Sequence, residues 1–598
     1  MNNSKPLKRT DVPVEYTWDL KGLCESDEIF EEKFKKVQEL LPEIANFKCR
    51  LSDNAETVLS FLTKLEETEQ IFEKLYAYAN MHLHEDMNVA KYQGYSARMQ
   101  TLASNLAEAG SFFEAELLSL PETQLKSYVK SDILSHYHLL LERILKRKEH
   151  TLSSAEEAII AKSYEMASAA DDIFSMLNDA DMKFGEIKDS DGEMKELTSE
   201  RFVSFMESTD RRVRINAFKR FYEVYGQFKN TIGAAYAASI KKAGFYSKVR
   251  NYRSALEMSL SINEIPISVY DKLIETVRQN LPAMHKYISL RKKILGVSEH
   301  HFYDNYVSLI PDYDKKFTFD EAKQLAREGL APMGKDYIKR LEEGFSNRWI
   351  DVYENIGKCS GAYSWGAYGA HPYVLLNFQG NLDDVFTLVH EMGHALHSMY
   401  SHEEQSYTYA GYKIFVAEVA STCNEALLMQ YMLSKSNDKR ERAYLINHFI
   451  DQFKGTLYRQ TMFAEFERAA HELYASGEAL TPDALCEIYR NLNKDYFGDD
   501  MVIDDEIALE WLRIPHFYNE FYVYQYATGF SAAIALSNRI LKEGYPAVLD
   551  YISFLKGGCS KDPIELLKIA GVDMTSPKPV EEALKLFSQL VDELEQLI

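Results

Sequence analysis

The sequence lacks the features that mark membrane, disulfide-rich and nucleic-acid-binding proteins. No apolar run approaches the roughly 18 residues that span a bilayer. The six cysteines are scattered without a C-x-x-C pair, which favours free thiols in a reducing compartment. The net charge of −23 leaves no excess of basic residues for binding nucleic acid or an anionic membrane surface. We therefore predict a cytoplasmic protein with no nucleic-acid and no membrane partner.

The N-terminal segment also lacks the apolar stretch of a signal peptide. Its basic residues, Lys5, Lys8 and Arg9, are followed by Thr10 and Asp11 rather than by an apolar run. Internal repeats and low-complexity tracts are absent as well. What the chain does contain is 46% hydrophobic and 13% aromatic residues over 598 positions, ample for a sizeable core. That length is compatible with several domains or with one large helical body.

Helical patterning dominates the N-terminal part, from Asp27 to about Ala180. Ile71, Leu75 and Tyr78, for example, share one helical face. A bundle of helices is the structure this pattern predicts. An Asp191-Gly192 turn between short alternating runs then predicts a β-hairpin. We place a boundary after the hairpin, between an N-terminal helical region, 1–198, and a second body, 199–598.

The most informative motif is His390-Glu391-Met392-Gly393-His394. Two histidines four apart on a helix lie about 40° apart around its axis and about 6 Å apart along it, so both rings can bind one metal ion. Glu391 points about 100° away, where it can take a proton from a water molecule instead of binding the metal. This spacing is typical of zinc hydrolases. The apolar residues on both sides recur at helical spacing, as a helix requires.

Catalytic zinc takes three protein ligands, so a third has to be found downstream. Glu418 lies 24 residues after His394 in an apolar helical run, where an unpaired carboxylate is expensive to bury. We predict that it is the third ligand of one Zn²⁺ ion. Glu425, seven residues later on the same face, either orients a ligating histidine or lies on an exposed surface. His397 is about 10 Å along the helix from His390, too far to bind the same ion, so it belongs to the surrounding shell or to packing.

The residue composition changes just before this helix. Gly361, Gly366 and Gly369 punctuate aromatic residues, and the run from Tyr373 to Phe378 then reads as a strand. Two roles are open for the strand. It either packs beside the metal-binding helix or offers an exposed edge that pairs with the main chain of an extended peptide.

These residues resemble oligoendopeptidase F, in the thimet-oligopeptidase-like family of zinc peptidases. The resemblance rests on the run from His371 to Gly380, on the spacing of Glu418 and Glu425, and on the aromatic segment from His516 to Gly529. It implies a mainly α fold, a large helical body with a deep central channel, and a small β-sheet beside the zinc helix. It also implies that the second body, 199–598, is the zinc peptidase.

The resemblance further implies that the substrates are short peptides cut at internal bonds. His516, Tyr518 and Tyr524 become candidates for stabilising the negative charge that develops on the peptide carbonyl. The segment between His516 and Tyr524 is shorter than the glycine-rich loop of thimet oligopeptidase, which leaves the choice among the tyrosines open. A carboxydipeptidase with the same chemistry and a non-catalytic peptide-binding protein remain alternatives. Oligomeric state is not predicted.

Overall fold

The computed structural model describes residues 7–310 and 315–598. Helices hold 72% of the residues and strands 3%, which confirms the mainly α fold. Within the described ranges, no helix combines the length and the apolar character needed to cross a membrane. Residues 1–6, where the segment examined for a signal peptide begins, lie outside the described residues.

The helices are numbered in chain order. Before residue 311 they are α1 (Asp27–Ala45), α2 (Ala55–Glu85), α3 (Ala90–Gly110), α4 (Phe112–Ser119), α5 (Glu122–Val129), α6 (His138–Arg147), α7 (Ser154–Ala167), α8 (Ala169–Ser175), α9 (Ser199–Met206), α10 (Arg211–Gln227), α11 (Lys229–Val249), α12 (Ala255–Ile262), α13 (Ile267–Gln279) and α14 (Leu281–Leu295). After residue 314 they are α15 (Phe319–Gly329), α16 (Gly334–Ser346), α17 (Leu382–Glu404), α18 (Tyr407–Ala410), α19 (Ile414–Lys435), α20 (Lys439–Gln452), α21 (Arg459–Ala475), α22 (Pro482–Phe497), α23 (Tyr524–Glu543), α24 (Tyr545–Leu555), α25 (Pro563–Ile569) and α26 (Lys578–Leu597).

The strands are few and short. They are β1 (Glu186–Lys188), β2 (Met194–Glu196), β3 (His300–His301), β4 (Ile350–Asp351), β5 (Tyr363–Trp365), β6 (Tyr373–Leu375) and β7 (Met501–Val502). They form an antiparallel pair of β1 with β2, a parallel pair of β3 with β7, and a three-stranded sheet in the order β4-β6-β5. The β1–β2 pair confirms the predicted hairpin, with Gly192 at a positive φ of 85° in its turn.

Contacts within the chain divide it into two compact units of three segments each. The first unit contains Met1–Glu157, Lys315–Leu428 and Leu536–Gly571; the second contains Ala158–Asp314, Met429–Ala535 and Val572–Ile598. The predicted boundary after residue 198, between an N-terminal helical region and a catalytic body, stays a prediction. Tertiary contacts group the segments in a different, interleaved way.

In the first unit, the N-terminal helices share a core with the three-stranded sheet. Phe30 of α1 stacks on Tyr95 of α3 at a centroid distance of 4.2 Å, and both belong to the same buried cluster as Tyr373 and Leu375 of β6. The cluster ties the helices to the sheet because apolar residues on each must leave water together. The sheet in turn packs on α17, the helix that carries His390.

The position of β6 decides between the two roles predicted for its strand. β6 pairs with β4 on one side and with β5 on the other, and all three of its residues are buried. The prediction that this strand offers its own edge to a peptide is therefore wrong, because both of its edges already pair. It packs beside α17, as the other alternative held. An outer position in the sheet belongs instead to β5.

Candidate active site

Helix α17 begins with a complete capping box. The Asn381 side chain accepts a hydrogen bond from the Asp384 N–H at 2.8 Å, and the Asp384 carboxylate accepts one from the Asn381 N–H at 3.0 Å. These two bonds satisfy backbone donors that a helix start leaves unpaired. From this start the helix runs about two turns to His390 and one more to His394, and the two rings lie 4.8 Å apart.

Helix α19 brings Glu418 to the two histidines. Glu418 Oε2 lies 3.4 Å from His390 Nε2 and 3.6 Å from His394 Nε2, and the two Nε2 atoms lie 3.1 Å apart. A tetrahedral ion with bonds of about 2.0–2.1 Å places its ligand atoms about 3.3 Å apart. The three atoms therefore fit one such ion. Among the described residues, this trio is the one group of His, Cys, Asp and Glu with metal-binding spacing.

The close approach of α17 and α19 depends on Gly393. A Cβ atom at this position would lie 2.6 Å from Ser421 Cα and 2.9 Å from the Ala420 carbonyl oxygen, closer than side chains pack. A hydrogen bond of 3.3 Å from the Asn424 side chain to the Val389 carbonyl also joins the two helices. The glycine of the motif thus has a packing role, which lets the carboxylates of α19 reach the histidines of α17.

Both histidine rings make a further contact that orients them. His390 Nδ1 lies 2.6 Å from Glu425 Oε1, so the orienting role predicted for Glu425 agrees with its position, and the alternative of an exposed face does not. The His394 ring bonds to the backbone of Ala417. Such contacts fix the tautomer and direct Nε2 toward the shared point.

Glu391 lies beside the trio but takes no part in it. Its residue is only 7% exposed, and its carboxylate accepts a hydrogen bond from the Ser364 N–H of β5. Burial raises the pKa of Glu391 to about 7, against the effect of His390. A carboxyl group with a pKa near neutrality can both take up and release a proton.

The charges of the trio depend on one another. Burial lowers the pKa of His394 to about 4, with His390 adding to the effect. Burial also disfavours the charged form of His390, but hydrogen bonds to Glu418 and Glu425 raise its pKa well above the usual value. The same His390 contact lowers the pKa of Glu418 despite its burial. A carboxylate beside two imidazoles in a partly buried pocket is an arrangement that a cation would stabilise.

His397 belongs to the core rather than to the ligand shell. It is 1% exposed, and its ring stacks on Tyr412 at a centroid distance of 3.8 Å. Burial lowers its pKa to about 3, so the ring is neutral. Of the two roles left open by the sequence, the structure places His397 in packing.

The other three predicted residues lie in the second unit. His516 is exposed on a short 3₁₀ turn, whereas Tyr518 and Tyr524 are buried, with exposures of 6% and 1%. The tyrosines that flank His516 are different ones. Tyr526 Oη lies 3.3 Å from His516 Nε2, and the Tyr522 ring stacks near the His516 ring at 5.9 Å.

Sequence reasoning therefore missed four features. Gly393 and the Ser364 N–H act through backbone approach, which no residue pattern reveals. Tyr522 and Tyr526 were available in the sequence, four apart like His390 and His394, but that spacing was not used to select them.

Two family models and several known proteins match this chain. Residues 204–586 match the family model of peptidase family M3, and residues 116–184 match the family model named oligopeptidase F. Oligopeptidase PepF of Bacillus subtilis is 48% identical over 591 residues, covering 99% of this chain and 88% of that protein.

Two solved structures share the fold over nearly the whole chain. A protein from Chlamydophila abortus has a TM-score of 0.91 at 35% identity and covers 99% of this chain and 100% of its own. Oligoendopeptidase-F from Enterococcus faecium has a TM-score of 0.75 at 38% identity, with coverages of 96% and 99%. The chain therefore belongs to peptidase family M3, in the oligoendopeptidase F group of metallo-endopeptidases that act on short peptides.

Proposed function

We propose that this peptidase uses a single Zn²⁺ ion held by His390, His394 and Glu418. The observation that carries the proposal is the triangle of donor atoms, 3.1, 3.4 and 3.6 Å on its sides. Two imidazole nitrogens and one carboxylate oxygen are a donor set that catalytic zinc takes in other hydrolases, with a further position left for water. Glu425 contacts Nδ1 of His390, the ring nitrogen that is not a member of the triangle.

When bound, Zn²⁺ supplies Lewis acidity, which polarises a peptide carbonyl and acidifies water. Glu391 takes the proton from the attacking water, because its carboxylate lies beside the ligands without joining them. The Ser364 N–H holds that carboxylate in place. As the peptide bond breaks, Glu391 passes the proton on to the departing amine, which its pKa of about 7 suits.

We further propose that the peptide main chain pairs with the outer edge of β5. In the antiparallel pair of β5 with β6, the Ser364 N–H is directed to Glu391 instead of to β6. The proton acceptor therefore lies at the outer edge of the strand. Main-chain pairing there would hold peptides of many sequences beside Glu391, since backbone groups supply the hydrogen bonds.

The donors to the developing oxyanion remain a proposal. His516, Tyr518 and Tyr524 are the residues that the family resemblance suggests. Because Tyr518 and Tyr524 are buried, the neighbouring phenols of Tyr522 and Tyr526 are better placed to accompany His516. An imidazole or phenol that donates to charge formed only in the transition state would raise kcat.

The choice between endopeptidase and carboxydipeptidase can be tested with one pair of substrates. A carboxydipeptidase must hold a free C-terminal carboxylate, so amidation of a peptide abolishes its cleavage. We expect equal cleavage of the free and amidated forms, at the same internal bond, read by mass spectrometry. Removal of the metal with a chelator should stop both reactions, and added Zn²⁺ should restore them. Cleavage of the free form alone would replace the proposal with a carboxydipeptidase.

The cytoplasmic location, and the absence of nucleic-acid and membrane partners, also remain proposals. The net charge of −23 and the lack of a C-x-x-C pair among the six cysteines support them, because scattered cysteines suit a reducing compartment. Cell fractionation, combined with labelling of reduced thiols in each fraction, would test the location.

A further inference from the structure

A turn with unusual backbone geometry follows His516. The Tyr522 N–H donates to the Asn519 carbonyl at 3.2 Å, which closes a β-turn with Phe521 at its third position. Phe521 has a φ of +56°, in the left-handed region that glycine or asparagine normally occupies in such turns. The described chain has five non-glycine residues with positive φ, and Phe521 alone among them is buried. Surrounding contacts must hold a bulky residue in this conformation.

The contact that holds it comes from helix α21. Glu467 Oε1 accepts a hydrogen bond from the Phe521 N–H at 2.9 Å. Glu467 is 0% exposed, and its other oxygen, Oε2, has no hydrogen-bond partner in the described chain. Burial raises the pKa of Glu467 well above the usual value, which favours the neutral carboxylic acid. None of the catalytic steps above uses this residue, yet a buried polar group of this kind is costly to keep.

The direction of the Phe521 N–H decides where the neighbouring side chains point. In a turn, rotating the central peptide bond exchanges a negative φ for a positive φ at the third position. Here the Phe521 ring is directed inward, 5.9 Å from the Tyr270 ring and 4.5 Å from the His471 ring. The next residue, Tyr522, is partly exposed, and its ring lies 5.9 Å from the His516 ring.

A second tether holds the same turn from α11 and α12. Glu520 pairs with Lys242 at 2.8 Å, and its carbonyl accepts a hydrogen bond from the Ser259 hydroxyl at 2.8 Å. These contacts fix the position of the turn, but they do not set the direction of the Phe521 N–H. The Phe521 N–H itself bonds to Glu467.

We propose that Glu467 is a positioning residue, which holds the turn at Phe521 in its left-handed conformation and so keeps Tyr522 and Tyr526 beside His516. This inference rests on the proposed donor role of His516 and its flanking tyrosines. Glu467 itself does not contact the substrate. It affects turnover by holding the turn that precedes Tyr522 in position.

The test compares two substitutions in the full-length, metal-loaded protein. Glu467→Gln keeps an oxygen that accepts the Phe521 N–H, so we expect wild-type amide exchange in residues 515–526 and kcat within about threefold of wild type. Glu467→Leu removes the acceptor, and we expect faster exchange confined to that segment. Its kcat should fall about 10- to 100-fold at nearly constant KM, as misplacement of catalytic groups by about 1 Å can cause.

Glu465→Leu is the matched control on the same helix. Glu465 bonds to Arg278 and Tyr496 and not to the turn, so its loss should lower thermal stability without changing kcat or exchange in 515–526. If Glu467→Leu does not fold, Glu467→Met replaces it. Hydrogen exchange of the Phe521 amide in the wild type tests the bond to Glu467 without any variant. A freely exchanging Phe521 amide in the wild type overturns the inference.

A double-substitution cycle separates positioning from general stability. Added to Tyr526→Phe, Glu467→Leu should lower kcat less than about threefold, because the donor hydroxyl that Glu467 positions is already gone. Equal losses in both backgrounds overturn the positioning role while leaving the donor role of His516 intact. Wild-type turnover of His516→Ala, by contrast, overturns the donor role itself and the inference with it.

Discussion

Substituting Gly393 by alanine should release the metal without touching a ligand. The new Cβ would lie 2.6 Å from Ser421 Cα, whereas carbon atoms in contact are separated by about 3.5 Å. Helices α17 and α19 would have to part by about 0.9 Å at this point. Glu418 lies one turn from Ser421 and would move with it, and ligand distances tolerate only about 0.2 Å. We expect Zn²⁺ affinity to fall about 10- to 100-fold, which corresponds to about 1.4–2.7 kcal/mol.

The assay is a competition for Zn²⁺ against a chromophoric chelator, with thermal unfolding measured in parallel. Overpacking should also lower the free energy of unfolding by about 1–3 kcal/mol. Gly94 is the matched control, because it lies within helix α3 and a Cβ there meets nothing within 4 Å. Gly94→Ala should leave metal affinity unchanged and stabilise the protein by up to about 1 kcal/mol. Wild-type Zn²⁺ affinity in Gly393→Ala would refute the argument that helix approach sets the ligand geometry.

Further substitutions test the remaining roles. Glu391→Gln should keep full zinc content and lose turnover, because an amide cannot accept the proton; near wild-type activity would contradict the assignment. Glu418→Ala should strip the metal, measured as zinc per chain, while Glu425→Ala should weaken binding about 10- to 100-fold; a reversed order would exchange the two carboxylates. Tyr526→Phe should lower kcat by about 10²- to 10³-fold with little change in KM, and Tyr524→Phe much less; the opposite result would restore the buried tyrosine as the donor.

The sequence determined those features that depend on residues near one another in the chain. The spacing of His390 and His394 placed both rings on one helical face, and the run before them carried the acidic first turn that caps α17. The Asp191-Gly192 pair determined the hairpin in the same way. Glu418 and Glu425, seven apart in an apolar helix, could be singled out because buried carboxylates need partners.

The tertiary structure decided everything that depends on how distant segments approach. The order β4-β6-β5 buried the strand that the sequence offered as a possible edge, because pairing partners are chosen across the fold and not along the chain. Only packing showed that Gly393 admits α19 to the histidines. At the aromatic loop, periodicity could not tell the buried Tyr518 and Tyr524 from the partly exposed Tyr522 and Tyr526. A single backbone torsion at Phe521, held by a carboxyl group 54 residues earlier in the chain, sets the direction of the side chains that follow.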